Sequence, residues 1–326
     1  MGAILKLYIL SDVHYAGAAE KARVDYCYRS ITSPRVRLLV RLYRHFFWQR
    51  DPFAHNHLLD KFIHAAKDAD VVIANGDYAC DSAFIGAADD PTLQSATECL
   101  GKLRAQFGHR LHAVIGDHEL GKKPLGADAG GMRLESFRRS REVLDVKPFW
   151  TLTFGNYVLI GITATLLALP VLQGELLENE ADEWHMLLAR HIEDIRRAFA
   201  DLVPSQRAIL FCHDPTALPY LAQIPEVRAR LPQIERTIIG HLHSNLVLFK
   251  SRFLCGMPVI NFLGHTPQRI SRALRQASEW KPFNVLLCPS LPGIQLLKDG
   301  GYLTIDLDPS AKTPARFRKH GLSWNP

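Results

Sequence analysis

Five short apolar runs in this 326-residue chain each end in an acidic or imidazole side chain. Residues 4–10 run into Ser11-Asp12-Val13-His14, residues 71–74 into Asn75-Gly76-Asp77, and residues 111–115 into Gly116-Asp117-His118-Glu119. Residues 208–212 lead into His213-Asp214-Pro215, and residues 237–239 into Gly240-His241-Leu242-His243. Short runs of this kind, rich in Ile, Leu and Val, read as buried strands. In open α/β sheets the functional site lies just outside the carboxyl ends of the strands. One Asp or His alone reads as a turn, a cap or a satisfied polar residue. Five such arrivals at strand ends read as a metal site, because imidazole with carboxylate suits Zn, Mn, Fe, Ni or Co. Two cations about 3.5–4 Å apart need a shared carboxylate and N/O ligands on each side.

The intervening segments leave room for crossover helices at 56–67, 92–107, 133–144 and 184–202. The stretch "FWTLTFGNYVLIGI" reads as a hairpin turning through Gly155-Asn156. Further strands are expected at 246–250, 259–263, 285–288 and 302–307. The sum is an α/β chain of two packed sheets with helices outside. No Pro/Gly/Ser linker divides it, so residues 1–326 read as a single domain. The apolar stretch 165–172 reads as ordinary core, or else as another wall of an apolar pocket.

A hydrophobic content of 47% with 22% charged residues is that of a soluble globular chain. The 39 basic against 33 acidic residues leave a net charge of +6, which suits anionic partners. Cys27, Cys80, Cys99, Cys212, Cys255 and Cys288 are scattered without a CxxC pair, against a thiolate zinc site or a disulfide framework. The amino-terminal stretch lacks the pattern of a signal peptide, and Lys6 breaks that of a myristoylation signal. No stretch has the roughly 20 apolar residues of a spanning helix. The expectation is a cytoplasmic protein.

Residues 15–53 are far more than a loop from the first strand to the helix at 56 requires. Within them, 27–53 read as an inserted amphipathic helical segment. Ser33 and Pro34 form a helix start. Val36, Leu39, Val40, Tyr43 and Phe47 follow one helical face, widened by Leu42 and Phe46, while Arg37, Arg41, Arg44 and Arg50 take much of the rest. Arginines opposite Leu, Phe and Trp suit an anionic membrane interface or a lid over a lipid-tailed phosphate. The plainer alternative packs the apolar face on the domain and leaves the arginines solvated. The segment follows the first Asp/His motif directly, which puts it beside the site.

Asp12-Val13-His14, Gly76-Asp77, Gly116-Asp117-His118-Glu119, His213 and Gly240-His241-Leu242-His243, in this order, resemble the signature of the calcineurin-like metallophosphoesterases. The resemblance covers roughly residues 4–250. It implies a four-layer α-β-β-α metallophosphoesterase sandwich, here with an inserted helical lid. It also implies two divalent metal ions, Mn favoured among Mn, Fe, Zn, Ni and Co. Asp12, His14 and His243 would hold one ion, Asp77 would bridge, and Asp117, His213 and His241 would complete the second. His118 would face the phosphate as general acid or charge stabiliser. The family usually carries Asn where this chain has Asp117. Three carboxylates and a bridging hydroxide bring two dications to neutrality, so substrate attraction is expected to shift to protein cations or apolar contacts.

The expected reaction is two-metal hydrolysis of a phosphate ester or pyrophosphate, leaning to a lipid-linked substrate such as UDP-diacylglucosamine. The UDP-diacylglucosamine pyrophosphohydrolases of lipid A synthesis are similar in size and in having an inserted helical lid; their best-known branch carries Arg in place of His118. Arg37, Arg41, Arg44, Phe46, Phe47 and Trp48 are the lid residues expected to meet lipid or the inner face of a membrane. Two alternatives are a nuclease or soluble phosphodiesterase, and a non-catalytic metal-bound scaffold. Nucleic acid is the weaker reading, because the aromatics gather on the apolar side of the helix and do not track a groove. No protein partner is indicated.

Overall fold

In strand β1 (Leu5–Leu10), Leu7 and Ile9 pack on one face of the sheet, Tyr8 and Leu10 on the other, and both faces are covered. The same two-residue alternation in β2 (Val71–Ala74) sends Val71 and Ile73 inward and Val72 and Ala74 outward. In the computed structural model, which describes residues 4–23, 26–29, 31–124, 129–260 and 265–325, these strands belong to the first of two five-stranded sheets. With β3 (Leu111–Ala113), β9 (Gly301–Leu307) and β10 (Arg316–Gly321), its order is β10-β9-β1-β2-β3. The second sheet orders β4 (Phe149–Phe154), β5 (Tyr157–Ile162), β6 (Arg207–Cys212), β7 (Ile234–Ile239) and β8 (Val285–Leu287) consecutively.

The sheets face each other across a core that joins Leu7, Ile9 and Ile73 to Leu159, Ile209 and Phe211. Helices cover the outer faces. The first sheet packs against α2 (His57–Ala65), α3 (Asp90–Phe107) and α5 (Leu134–Glu142). The second carries α6 (Ala181–Ala200) through Ile195 and Phe199. Between α3 and α5 lies the single turn α4 (Asp117–Leu120). The insert supplies α1 (Pro34–Phe46), capped by Ser33, and the later chain supplies α7 (Asn245–Phe253) and α8 (His265–Arg275). The expected mixed α/β sandwich with two sheets inside and helices outside is what forms.

Three local expectations change. Residues 246–250 lie in helix α7, because Ser244 Oγ accepts the Leu246 N–H at 3.2 Å and caps a helix where a short apolar run suggested a strand. Of the strand expected at 259–263, Val259 and Ile260 have no regular structure, and the rest lies outside the described residues. Strand β10, "RFRKHG", was not expected at all. It pairs antiparallel with β9 at the sheet edge, where charged residues replace the apolar run that marks a central strand. The 165–172 stretch is mostly core, folded as short helices Ala164–Leu167 and Leu169–Leu172.

On α6, His191 is buried near Phe149 and burial pushes its imidazole down to about 4. The unfolded chain, with an ordinary pKa near 6.5, takes up the proton first. Stability from the neutral ring is therefore full above about pH 6.5 and is lost as pH falls towards 4, by about 3 kcal/mol. Urea melts of wild type and His191→Gln should diverge by that amount between pH 7 and pH 4, with the variant less pH-dependent. Parallel curves would show that His191 does not sense pH.

Candidate metal centre

β1, β2 and β3 are parallel neighbours, as are β6 and β7, so five carboxyl ends open on one side of the sandwich. There the backbone turns sharply. Asp12, His14, Asp77, His241 and His243 all adopt positive φ, between 49° and 60°. Left-handed backbone at a non-glycine residue costs about 1–3 kcal/mol and persists only where the surroundings impose it. Here Asp12 N–H donates to the Gly76 carbonyl and His14 N–H to that of Asp77, both at 3.1 Å, which locks one strand end to the next. Gly240 has no Cβ because one would collide with Ser11 Oγ and Asp12 Oδ2.

Every sequence-predicted ligand arrives at this point. Asp77, Asp117, His213 and His241 form one group, and Asp12, His14 and His243 form another. Asp77 also groups with His14 and His118, so its carboxylate is common to both sides. His213 Nδ1 donates to the Asn75 carbonyl at 2.6 Å, which turns Nε2 towards the carboxylates. That nitrogen lies 3.2 Å from Asp77 Oδ2 and 3.1 Å from Asp117 Oδ1. His243 Nε2 is 3.2 Å from Asp12 Oδ1 and 3.1 Å from His14 Nε2. Nitrogens and oxygens facing each other at such distances need a proton or a metal cation between them. Donors about 2.1 Å from one octahedral cation lie about 3 Å apart, which matches these contacts. Asp12 Oδ1, Asp77 Oδ2 and Asp117 Oδ2 are buried and accept no hydrogen bond; the first two are free for a cation, and the third faces the Lys122 ammonium as an ion pair. The residues fit two divalent cations.

The sequence of residues 5–245 matches the family model of the calcineurin-like phosphoesterases. The chain belongs to this family. No curated protein matches it. A dimetal phosphatase from Danio rerio shares the fold, with a TM-score of 0.51 at 13% identity over 98% of this chain and 97% of that one. A phosphopantetheinyl hydrolase from Mycobacterium tuberculosis gives 0.34 at 15% identity over 74% of this chain and 84% of that one. The protein is a metal-dependent phosphoester hydrolase with a dinuclear divalent centre.

Charge in this phosphoesterase is organised around the three carboxylates. Burial pushes Asp12 up, but His213 and His243 hold it well below the usual range. Burial and Asp117 raise Asp77, and His213 and His118 more than reverse that. Burial also raises Asp117, against the stronger pull of His241 and Lys122. All three are ionised at neutral pH. Burial lowers His213, yet Asp77 and Asp12 lift it well above the ordinary imidazole value. His118 is pushed down to about 4 by burial and by Lys122. Its Nδ1 donates to the Cys80 carbonyl at 3.0 Å, which turns Nε2 towards the centre, 3.9 Å from Asp77 Oδ2.

Two supporting residues escaped the sequence reading. Glu119 accepts the backbone N–H groups of Asp77, Gly116 and Tyr78 at 2.7–2.9 Å, stapling the β2 end to the β3 end. Its signal was there, an acid two residues past Asp117. Lys122 forms an ion pair with Asp117 Oδ2. Nothing in spacing announced it, because positions five apart are not neighbours on a helix.

A cleft of about 790 Å³ opens from the centre. Val40, Tyr43, Phe47 and Trp48 of the insert line one side, and Val247, Leu254, Leu274 and Trp280 another. Trp48 lies over His243, with ring centroids 4.5 Å apart. Thr165 and Leu172 also reach this wall. Among the predicted lid residues, Arg44, Phe47 and Trp48 line the cleft, while Arg37 bonds the Ile31 carbonyl, Arg41 lies over Tyr28 and Phe46 points outward. The insert thus does more than pack an apolar face on the domain. Leu38, Leu39, Leu42 and Phe46 form a second apolar face, 47–66% exposed.

Proposed function

We propose that this phosphoesterase hydrolyses a phosphate ester or pyrophosphate linked to a lipid, at an anionic membrane surface. The observation that carries this reading is the cleft, whose predominantly apolar walls run directly from the metal centre to the insert. An apolar tail would bury there, at about 0.8 kcal/mol per methylene, while the phosphate meets the centre. Asp12, His14 and His243 would hold one divalent cation and Asp117, His213 and His241 the other, with Asp77 shared. Manganese is the ion we favour. Cations there supply Lewis acidity and a water acidified towards neutral pH. His118 presents Nε2 to the phosphoryl group; the ring is neutral in the free protein, and an anionic phosphoryl group beside it would favour the protonated form that acts as general acid to the leaving oxygen or stabilises its charge.

The surroundings suit a membrane. Among the described residues no helix is long and apolar enough to cross one. Phe249 and Phe253 of α7, and Leu296 and Leu297, are likewise exposed. Leu296 N–H donates to the Phe47 carbonyl at 3.2 Å, and Lys250 Nζ lies 4.4 Å from the Phe47 ring centre, so the three elements adjoin. Lys250 and Arg252, in the last turn of α7, stand beside these phenylalanines, as an anionic headgroup layer requires. Helix α8 is a second amphipathic segment that the sequence reading missed, with Arg272 and Arg275 in its last turn.

The test compares UDP-diacylglucosamine in mixed micelles with bis-(p-nitrophenyl) phosphate and single-stranded DNA, each with Mn²⁺. The lipid-linked substrate should be turned over with kcat/KM about 10²-fold above the soluble esters, since truncated substrates lose rate as well as affinity. Leu39→Glu with Phe253→Glu should lower cosedimentation with phosphatidylglycerol vesicles about tenfold and leave bis-(p-nitrophenyl) phosphate hydrolysis unchanged. Preference for DNA or soluble diesters without detergent enhancement would make the protein a nuclease or soluble phosphodiesterase. No turnover of any of them would make it a scaffold.

A further inference from the structure

We infer that Lys122 is the charge-compensating partner of Asp117, so that the pair offers the centre one donor oxygen without the added charge. The inference rests on the two-cation reading of the centre. Helix α4 ends at Gly121, whose N–H closes the turn on the Asp117 carbonyl at 2.9 Å. Gly121 then takes φ 90°, and a Cβ there would strike the backbone of Ile85 and Gly131. Only glycine allows this reversal, and it carries Lys122 back beside Asp117. The two Asp117 oxygens divide their work. Oδ1 faces His213 Nε2 at 3.1 Å and His241 Nδ1 at 2.9 Å, whereas Oδ2 takes the ammonium. An amide side chain would present the same pattern, one oxygen to the cation and no net charge.

Lys122 is a cleft-lining residue as well as a partner. The neighbouring cleft cations are tied elsewhere: Arg269 pairs with Glu175, and Lys123 Nζ bonds the Gly174 carbonyl at 2.7 Å. Lys250 sits over the Phe47 ring at the insert side. Lys122 pairs with Asp117 itself, which makes it the cation that answers the extra carboxylate of this centre. It restores the single positive charge that three carboxylates and a hydroxide would cancel on two dications. It follows that Lys122 trades metal affinity for phosphate affinity.

A double-mutant cycle on the full chain tests this with Asp117→Asn, Lys122→Met and the pair. Mn²⁺ binding is read by isothermal titration calorimetry, and phosphate affinity by inhibition with inorganic phosphate. Lys122→Met should bind Mn²⁺ about tenfold tighter and phosphate about tenfold weaker. Asp117→Asn, with the ammonium left facing the cations, should bind Mn²⁺ about tenfold weaker. The double variant should return both within about threefold of wild type. Lys122→Met weakening Mn²⁺ as Asp117→Asn does, or a double variant that keeps the full loss of phosphate affinity seen with Lys122→Met, would overturn the inference. A wild-type chain that binds no Mn²⁺ would instead overturn the two-cation reading. Thermal melts of each variant in chelator separate a folding defect from a charge effect.

Discussion

Asp77→Asn is expected to lower turnover of bis-(p-nitrophenyl) phosphate by about 10³-fold or more and to cut bound Mn²⁺ from two ions towards one. Asp77 belongs to the ligand groups on both sides, and its Oδ2 is buried without a hydrogen bond. The neutral amide keeps the shape, including the His118 N–H contact to Oδ1 at 3.0 Å, but removes the charge that two dications share. Lewis-acid stabilisation worth several kcal/mol is at stake, and each 1.4 kcal/mol is a factor of ten in rate. A second readout is stability. Mn²⁺ at 100 times Kd adds about 2.7 kcal/mol for each ion bound, which for a domain of this size raises Tm by about 4 °C per ion. The variant should gain markedly less. A variant that binds two ions and gains the full rise would remove Asp77 from the bridging position.

His118→Gln should reduce kcat by about 10²- to 10⁴-fold on an alkyl phosphate ester while leaving Mn²⁺ affinity within about threefold. The imidazole is held by Cys80, and its Nε2 is 3.9 Å from Asp77 Oδ2, in the grouping that also contains His14. A general acid matters most when the leaving oxygen is basic. The loss should therefore shrink for p-nitrophenyl esters, whose leaving group departs as the anion. Equal losses for both leaving groups would assign His118 to charge stabilisation. Loss of Mn²⁺ binding would make it a ligand.

The candidate ligands were legible because each lies within a few residues of an apolar run. Asp12, Asp77, Asp117, His213 and the His241/His243 pair are all delivered by local chemistry, and parallel pairing brings the strand ends together. Where a signal was weak or ambiguous, the reading failed. Residues 246–250 are as apolar as a strand, and only the Ser244 cap decides for helix. Strand β10 has a charged sequence because it lies at an edge and pairs on one side only. The insert was legible as an amphipathic helix, but its two apolar faces were not separable on paper. Which of Leu39, Val40, Phe46 and Phe47 meets the cleft depends on the angle at which α1 is held, and contacts to Gly293, Gln295 and Leu296 set that angle.

By itself, then, the sequence determined the layered α/β fold, the order of the ligand groups and the oddity of a carboxylate at position 117. Those are matters of period, propensity and short-range delivery. Tertiary structure alone decided how that carboxylate is tolerated. The turn at Gly121 folds Lys122 back onto Asp117 Oδ2 and leaves Oδ1 for the histidines. Charge balance in a buried centre is a sum over distances, and distances between residues off the helical period belong to the folded chain.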